Sequence, residues 1–586
     1  MTFFFNFTEM KLFTTIFLVF VLCFGYSNND SIKNINYWNQ LSLLPDSNNY
    51  MLFFGGPSSI NKSLFFNASN LSFLNDHPMF SREQEDMLNR WSDVPIVDFQ
   101  YIIGPNLEQN LAIYHNQPIS ERSNYSISYL KRSHDGYYLN QSTNSNFIQA
   151  HYFFNSNKYK LFFGGKHHRI YNQQNGGINN DSSFTNSNDE FLNRLLLDVN
   201  LNNAYSNDKL WKAFVNQSFL LSADSDSILS RSSYLNFDIN YTRKLRNYYD
   251  SLDSYSFLYN YYDSIKTNDS IMKDLWSAEL NYTYNKSKDS SITFFSIGTR
   301  IDAVSHLNYS IDTLFYNHSI ISNYTKESNK SKVSFSGEYF PFGFKKDNYN
   351  FNFDLKKFLS KKSILNLDFN INNSRPTFEL NNFFSNHNIW SNNFENLLLV
   401  AARANINLGK LSYDLNYSDI YNPIYFNYIG NPVQYIGSSQ IIQSALKYNV
   451  SHKRINLLSE VVYQYQGGAQ VFQLPEWIGQ LQFNYKLTHE KSNSNLIFGV
   501  NGRCFSSFYL MNYLPSINQF SISNERLQSQ YFTIDFIAKA NIKQVSFYFM
   551  ISHLNAGLLG YDYFTALHYP SPDRYMKFGL KWLFLN

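Results

Sequence analysis

The chain ends Arg574-Tyr575-Met576-Lys577-Phe578-Gly579-Leu580-Lys581-Trp582-Leu583-Phe584-Leu585-Asn586. Met576, Phe578, Leu580, Trp582 and Phe584 occupy every second position. In a β-strand alternate side chains point to opposite faces, so these five form one unbroken apolar face. A terminal strand of this kind can close a barrel against the first strand, which removes the unpaired edges that an open sheet leaves.

The same period of two recurs upstream. Phe532, Ile534, Phe536, Ala538, Ala540 and Ile542 alternate with Tyr531, Thr533, Asp535, Lys539 and Asn541, and Ile537 is the single exception. Trp276, Ala278, Leu280, Tyr282 and Tyr284 alternate with Ser277, Glu279, Asn281, Thr283 and Asn285. Leu365, Leu367, Phe369 and Ile371 alternate with Asn366, Asp368, Asn370 and Asn372. Such runs last roughly 8–12 residues, longer than the 5–6 of a mean globular strand and close to the 9–11 that cross a bilayer. Asn-, Ser-, Asp- and Gly-rich connections separate them, some short (residues 407–410) and some near twenty residues (171–191, 555–573). Short turns on one rim and long loops on the other describe an outer-membrane barrel, expected here with an even strand number of roughly 18–22.

Composition agrees. The chain of 586 residues holds 55 Phe, 46 Tyr and 7 Trp, yet only 16% of it is charged. The aromatic load excludes a disordered chain, and girdles of aromatics at both interfaces would account for it. Asn and Ser supply the polarity. With 48 Lys+Arg against 45 Asp+Glu, the net charge of +3 lacks the basic excess of a nucleic-acid binder. Two cysteines, Cys23 and Cys504, build neither a disulfide framework nor a zinc site.

The expected organisation is a signal peptide over residues 1–25, an N-terminal periplasmic or lumen segment over 26–92, and a transmembrane β-barrel over 93–586. Met10-Lys11 precedes the apolar run from Leu12 to Phe24, and Cys23 and Gly25 are small residues before a cut at Tyr26. Met10 is an alternative start to Met1. Leu22 before Cys23 argues against a lipoprotein. Residues 26–92 contain Trp38, Leu44-Pro45-Asp46 and a short helix expected around Arg82 to Arg90; they could equally be a periplasmic extension, a lumen insert or the first strands.

Several stretches resemble the Bacteroidota-type putative porin family of outer-membrane β-barrels. They are Pro95-Ile96-Val97-Asp98-Phe99-Gln100-Tyr101 with Gly104, Asn116-Gln117-Pro118, Tyr125 to Tyr129, Gly136-Tyr137-Tyr138 and Gln174-Asn175-Gly176-Gly177-Ile178. Near the end they are Leu554-Asn555-Ala556-Gly557 and Tyr569-Pro570-Ser571-Pro572-Asp573-Arg574, leading into Phe578-Gly579-Leu580-Lys581-Trp582. The last motif is also similar to the ends of TonB-dependent receptors, so it marks the barrel class more than the cargo. Residues 26–92 are short for the plug of such a receptor and carry no clear energy-coupling box. The resemblance implies a pore in the bacterial outer membrane and no catalytic residues.

Enzyme chemistry has no visible motif: G-x-G-x-x-G, G-x-x-x-x-G-K-[ST] and H-E-x-x-H are all absent. His167-His168 are adjacent in a strand and should face opposite sides, which does not suit a metal pair. Lys345-Lys346 and Lys356-Lys357 read as rim charges near lipid headgroups. The expectation is a non-enzymatic channel without cofactor or metal, passing small solutes by diffusion through a polar, mixed-sign lumen. The alternative is a closed or plugged barrel serving as receptor, adhesin or structural protein. A secreted glycoprotein would instead require glycans on the N-x-S/T sequons. Expected partners are outer-membrane lipid and lipopolysaccharide, the barrel-assembly machinery and periplasmic chaperones, and small solutes; oligomers are possible and nucleic acid is not expected. Met576, Phe578, Leu580, Trp582 and Phe584 are the expected barrel-closing assembly strand.

Overall fold

A computed structural model describes residues 51–53, 61–66, 94–186, 193–225, 229–251, 258–288, 291–489 and 494–585. The expected signal peptide, both candidate start methionines, Cys23 and the helix expected around Arg82 lie outside the described residues.

Twenty-two strands pair antiparallel into a closed barrel, the upper end of the expected range. In chain order they are β1 Ile96–Ile103, β2 Gln109–Ser120, β3 Ser123–His134, β4 Thr143–Asn155, β5 Tyr159–Gln173, β6 Ala204–Ser225, β7 Leu229–Ser251 and β8 Lys266–Lys288. They continue with β9 Ser291–Leu307, β10 Asp312–Glu327, β11 Ser331–Gly343, β12 Tyr349–Ser360, β13 Ser363–Ser374, β14 Leu397–Asn407 and β15 Leu411–Tyr421. The circuit is completed by β16 Ser438–His452, β17 Ile455–Gly468, β18 Trp477–His489, β19 Ser494–Phe505, β20 Tyr531–Ile542, β21 Val545–Ser552 and β22 Tyr575–Leu585. The terminal strand closes the ring on β1, from Ile96↔Leu585 to Ile103↔Phe578, eight register pairs against the twenty-three that join β7 to β8.

Alternation sets the two faces. On β8 Trp276, Leu280 and Tyr282 point outward and are exposed, while Glu279 and Asn281 face the lumen. A ring of exposed Leu, Ile, Phe and Tyr far exceeds the few hundred Å² of apolar patch that a soluble monomer tolerates, so the outer wall faces lipid. Aromatics bound this wall at two levels. Toward the long loops His167 lies on Trp211 (ring centroids 5.0 Å), Tyr241 on Trp276 (4.4 Å) and Tyr463 on Trp477 (4.7 Å). Toward the short turns Tyr159 meets Phe219 (5.0 Å) and Trp582 meets Phe584 (4.2 Å). From His167 to Tyr159 is eight residue steps, which at about 3.3 Å each and a tilt near 40° gives roughly 20 Å of height, close to the apolar band of such barrels.

The rims differ. One carries the short connections, and each described one holds a cation: Arg122, Lys158, Lys330, Lys361 and Lys362, Lys410, Lys453 and Arg454, and Lys543. The other carries the long connections 174–203, 375–396, 422–437, 506–530 and 553–574. Short turns and both barrel ends on one rim mark that rim as the periplasmic side. Lys345 and Lys346 lie on the long-loop rim and Lys356 and Lys357 near the short-turn rim, so the two pairs sit at opposite ends.

Candidate functional site

Twenty-two strands about 4.8 Å apart, tilted near 40°, enclose a backbone ring roughly 44 Å across, too wide for wall side chains to fill. The long loops fill the loop end. They bring Tyr138, Ile178, Phe184, Leu197, Phe508, Leu510, Tyr563, Phe564 and Leu567 into one buried apolar cluster, and Leu380, Phe383, Trp390, Ile424, Phe426, Leu514 and Ile517 into a second. Phe184 is the centre of the first, edge-on to Tyr563 (5.3 Å) and Phe564 (5.4 Å). Together they form a roof under the long-loop rim.

Loop 506–530 is the hub of this roof. A small sheet joins its segments Asn512–Leu514 and Gln519–Ser521 to Ile424–Phe426 and Pro432–Gln434 of loop 422–437. Leu567 N–H donates to the Met511 carbonyl (3.0 Å), tying in loop 553–574. Ser516 Oγ donates to Asn388 Oδ1 (2.8 Å), tying in loop 375–396. Arg246, lumen-facing on β7, donates to the Pro515 carbonyl (2.8 Å) and pairs with Asp208 of β6 (3.0 Å), both side chains buried. Arg526 joins Asp181 (2.5 Å) and Asp562 (2.7 Å) while stacking on Phe564.

Four of the motifs that carried the family resemblance, 136–138, 174–178, 554–557 and 569–574, converge here, whereas 95–101, 116–118, 125–129 and 578–582 lie at or on the barrel strands. Gly177, at φ +83°, lets its chain pass so close to His568 that a Cβ would stand 2.7 Å from the His568 carbonyl oxygen. Ile178 N–H then donates to that carbonyl (2.8 Å). Tyr138 hydroxyl donates to the Ser571 carbonyl (2.9 Å). Asn555 bridges Ile534 N–H (2.9 Å) and the Phe532 carbonyl (2.7 Å). Asp573 takes Arg194 Nε (2.7 Å) and the Tyr563 hydroxyl. Burial, then the Asp573 charge, hold the Tyr563 phenol well above its ordinary range. Burial raises Asp181, but hydrogen bonds and charge from His568 and Arg526 outweigh it and hold the carboxyl below its usual value. Glu379 is likewise raised by burial and lowered further by Lys273 and His306, with a net fall. Burial lowers His387 and His553, so both are neutral at pH 7.

Residues 61–66 of the N-terminal segment enter the first cluster through Leu64 and lie against the lumen face of β16 and β17. Gln464 takes Phe66 N–H (3.2 Å) and donates to the Leu64 carbonyl (2.9 Å), and Gln443 donates to the Phe66 carbonyl (3.2 Å). Next to Phe65 and Phe66 opens a cavity of about 380 Å³, walled by lumen residues of β12–β17. Its charges are Asp354, Asp368, Asp414 and Glu460 against Arg403 and Lys447, four acids and two bases. Arg403 pairs with Asp414 (2.7 Å) and Lys447 with Glu460 (2.9 Å), while Asp354 stands directly opposite Asp368 in the ladder. The wall is of mixed sign with an acidic surplus.

The residues singled out in the sequence fall elsewhere. Met576, Phe578 and Trp582 are exposed on the outer wall beside the closure with β1. His168 is buried in the lumen, hydrogen-bonded to Ser145 (2.8 Å), while His167 faces outward on Trp211. Among the described residues no group of His, Cys, Asp and Glu is arranged to hold a metal. The sequence reading missed the roof. The available signal was loops near twenty residues long carrying Phe, Leu, Tyr and Trp, since long ordered loops in compact proteins are commonly functional.

A family model described as "Putative porin" matches residues 28–586. No curated protein matches the chain. Among solved structures the barrel is similar to the ferric-catecholate import receptor Fiu from E. coli K12, at 12% identity and TM-score 0.58, covering 84% of this chain and 82% of that one. It is similar to the siderophore receptor PirA from Acinetobacter baumannii (10%, TM-score 0.58, 85% and 81%) and to the copper transporter OprC (8%, TM-score 0.59, 85% and 81%). At these identities the likeness is one of fold.

Proposed function

The chain belongs to the family described as "Putative porin", an outer-membrane β-barrel, and from that premise we propose that it is a gated uptake barrel of the receptor type. The loop end is closed at rest and opens when a small polar solute engages it; the acidic-surplus pocket under the roof receives that solute. The observation that carries this reading is the roof: loops from both halves of the ring share buried apolar clusters and backbone hydrogen bonds across the mouth. The strand number supports it, since barrels of 16–18 strands leave an aqueous channel whereas 22-stranded outer-membrane transporters have a plugged lumen. Import receptors and a metal transporter among the similar folds point the same way.

Planar-bilayer conductance tests it. The expected result is no standing current from the folded wild type, and long-lived channels once residues 512–521 are replaced by a Gly/Ser segment. A wild type that conducts as freely as the replacement overturns the gate. The passive pore keeps one specific support, the family description with the polar pocket wall. Liposome swelling with neutral sugars distinguishes it, because a passive pore admits them at rates that fall as their size rises.

A further inference from the structure

We propose that a row of cations on the outer wall of β3–β6 binds the phosphorylated headgroup of an outer-leaflet lipid. The inference rests on the outer-membrane placement of the barrel and is independent of whether the mouth is gated. In register, Lys131 of β3 stands opposite Asn146 of β4, Asn146 opposite Arg169 of β5, and Arg169 opposite Lys209 of β6. All four alternate with buried lumen residues, among them Leu130, Phe147, His168 and Leu210, and therefore point outward. The next outward row toward the membrane is Tyr129, Ile148, His167 and Trp211, the loop-side aromatic level. Register partners lie perpendicular to strands tilted near 40°, so the row slants by roughly 9 Å from Lys131 to Lys209 across the zone where the apolar band gives way to lipid headgroups.

Like charges directly opposite in a ladder repel, and Arg169 faces Lys209 in this way. Among the described residues no carboxylate pairs with Lys131, Arg169 or Lys209; Arg169 Nε donates to Asn207 Oδ1 (3.1 Å). One strand on, the wall is neutralised in the ordinary manner, because Asp274 takes Arg243 through two bonds of 2.7 Å. On the far wall the row one step beyond Tyr463 and Trp477 is Tyr417, Ile442 and Tyr465, with no cation. Three inter-strand steps make the cationic row roughly 14 Å wide. That width and an amide donor among three cations fit a headgroup bearing two phosphates, with Arg169 supplying a bidentate contact.

Native mass spectrometry of protein released from micelles seeded with diphosphorylated lipid A, or with the same lipid stripped of phosphate, tests this. Wild type should retain the phosphorylated form, and the Lys131→Gln/Arg169→Gln/Lys209→Gln variant should retain it about tenfold less or weaker. Lys361→Gln/Lys453→Gln, on the short-turn rim, should behave as wild type. Lys209→Glu separates binding from folding: a carboxylate opposite Arg169 should firm the ladder, raising the temperature of the gel-mobility shift, while abolishing retention. Equal retention of the stripped lipid, or undiminished retention by the triple variant, overturns the proposal. So does full displacement by millimolar inorganic phosphate, which would make the row a free-phosphate site.

Discussion

Two walls of one ring, β1–β6 and β12–β17, share strand geometry and alternation but not surroundings. On β1–β5 the lumen side chains Gln100, Asn116, Asn124, Ser126, Gln149, His151 and Lys166 are buried. On β12–β14 Asp354 and Arg403 remain exposed and Asp368 and Asn370 half-buried, beside the cavity. Outside, the first wall bears the cationic row, and the second carries Tyr417, Ile442 and Tyr465 one step beyond its loop-side aromatics. The difference teaches that alternation decides only inside from outside. What each wall does is decided by which polar residue fills the permitted position and what the loops lay against it.

Four changes would break or sharpen that contrast. The largest effect is expected from Arg246→Ala. Removing one partner of a buried pair costs about 3–5 kcal/mol, and here it also frees the hub loop from the β6–β7 wall. A lowered unfolding temperature with new channel events is the expected outcome; a current trace like wild type would detach the roof from that wall. Next is Leu280→Arg against Asn281→Arg. An arginine on the lipid face near the midplane costs about 2–4 kcal/mol, whereas one in the lumen is tolerated. Urea titration of the refolded barrels should rank the two, and equal midpoints would contradict the assigned faces.

Acidification should loosen the roof in two stages. His387 and His553 have folded values below their ordinary ones, so their neutral state supports the fold above about pH 6.5 and that support fades as pH falls toward the folded values. Asp181 and Glu379 are also lowered, so their contribution persists below about pH 4 and goes only as pH falls through the folded values. Protection factors of loops 375–396 and 553–574, with the intrinsic pH dependence of amide exchange divided out, should fall between pH 7 and 5 before those of the strands. Protection factors independent of pH over that interval would contradict the histidine assignment. The smallest effect belongs to Arg403→Gln, which deepens the acidic surplus of the pocket and should shift the reversal potential of the roof-replaced channel modestly toward cations.

Much of the wall was legible in the sequence. The run 531–542 is β20, with Phe532, Phe536, Ala538 and Ala540 outward and Ile537 on the lumen side. Strand length was legible only where the outer face meets lipid. β6, β7 and β8 run to 22 or 23 residues because pairing continues beyond the bilayer. There the outer face has left the lipid, and Asn207, Lys209 and Asn247 take outward positions that apolar residues hold lower on the strands. The roof left no periodic trace, because Phe184, Phe508 and Tyr563 meet from loops hundreds of residues apart. Four of the motifs that signalled the family mark its joints, yet their spacing alone does not reveal that they touch.

The closing seam has a mechanical consequence. β20 and β21 share seven register pairs, β21 and β22 eight, and β22 and β1 eight, whereas β7 and β8 share twenty-three. Hoop tension spread around such a ring meets its least resistance in that sector, as a zipper yields where its teeth are fewest. Squeezing by the bilayer, or traction on either terminus, therefore concentrates strain there, and the tall β6–β10 sector behaves as the stiff half of an unevenly sprung hoop.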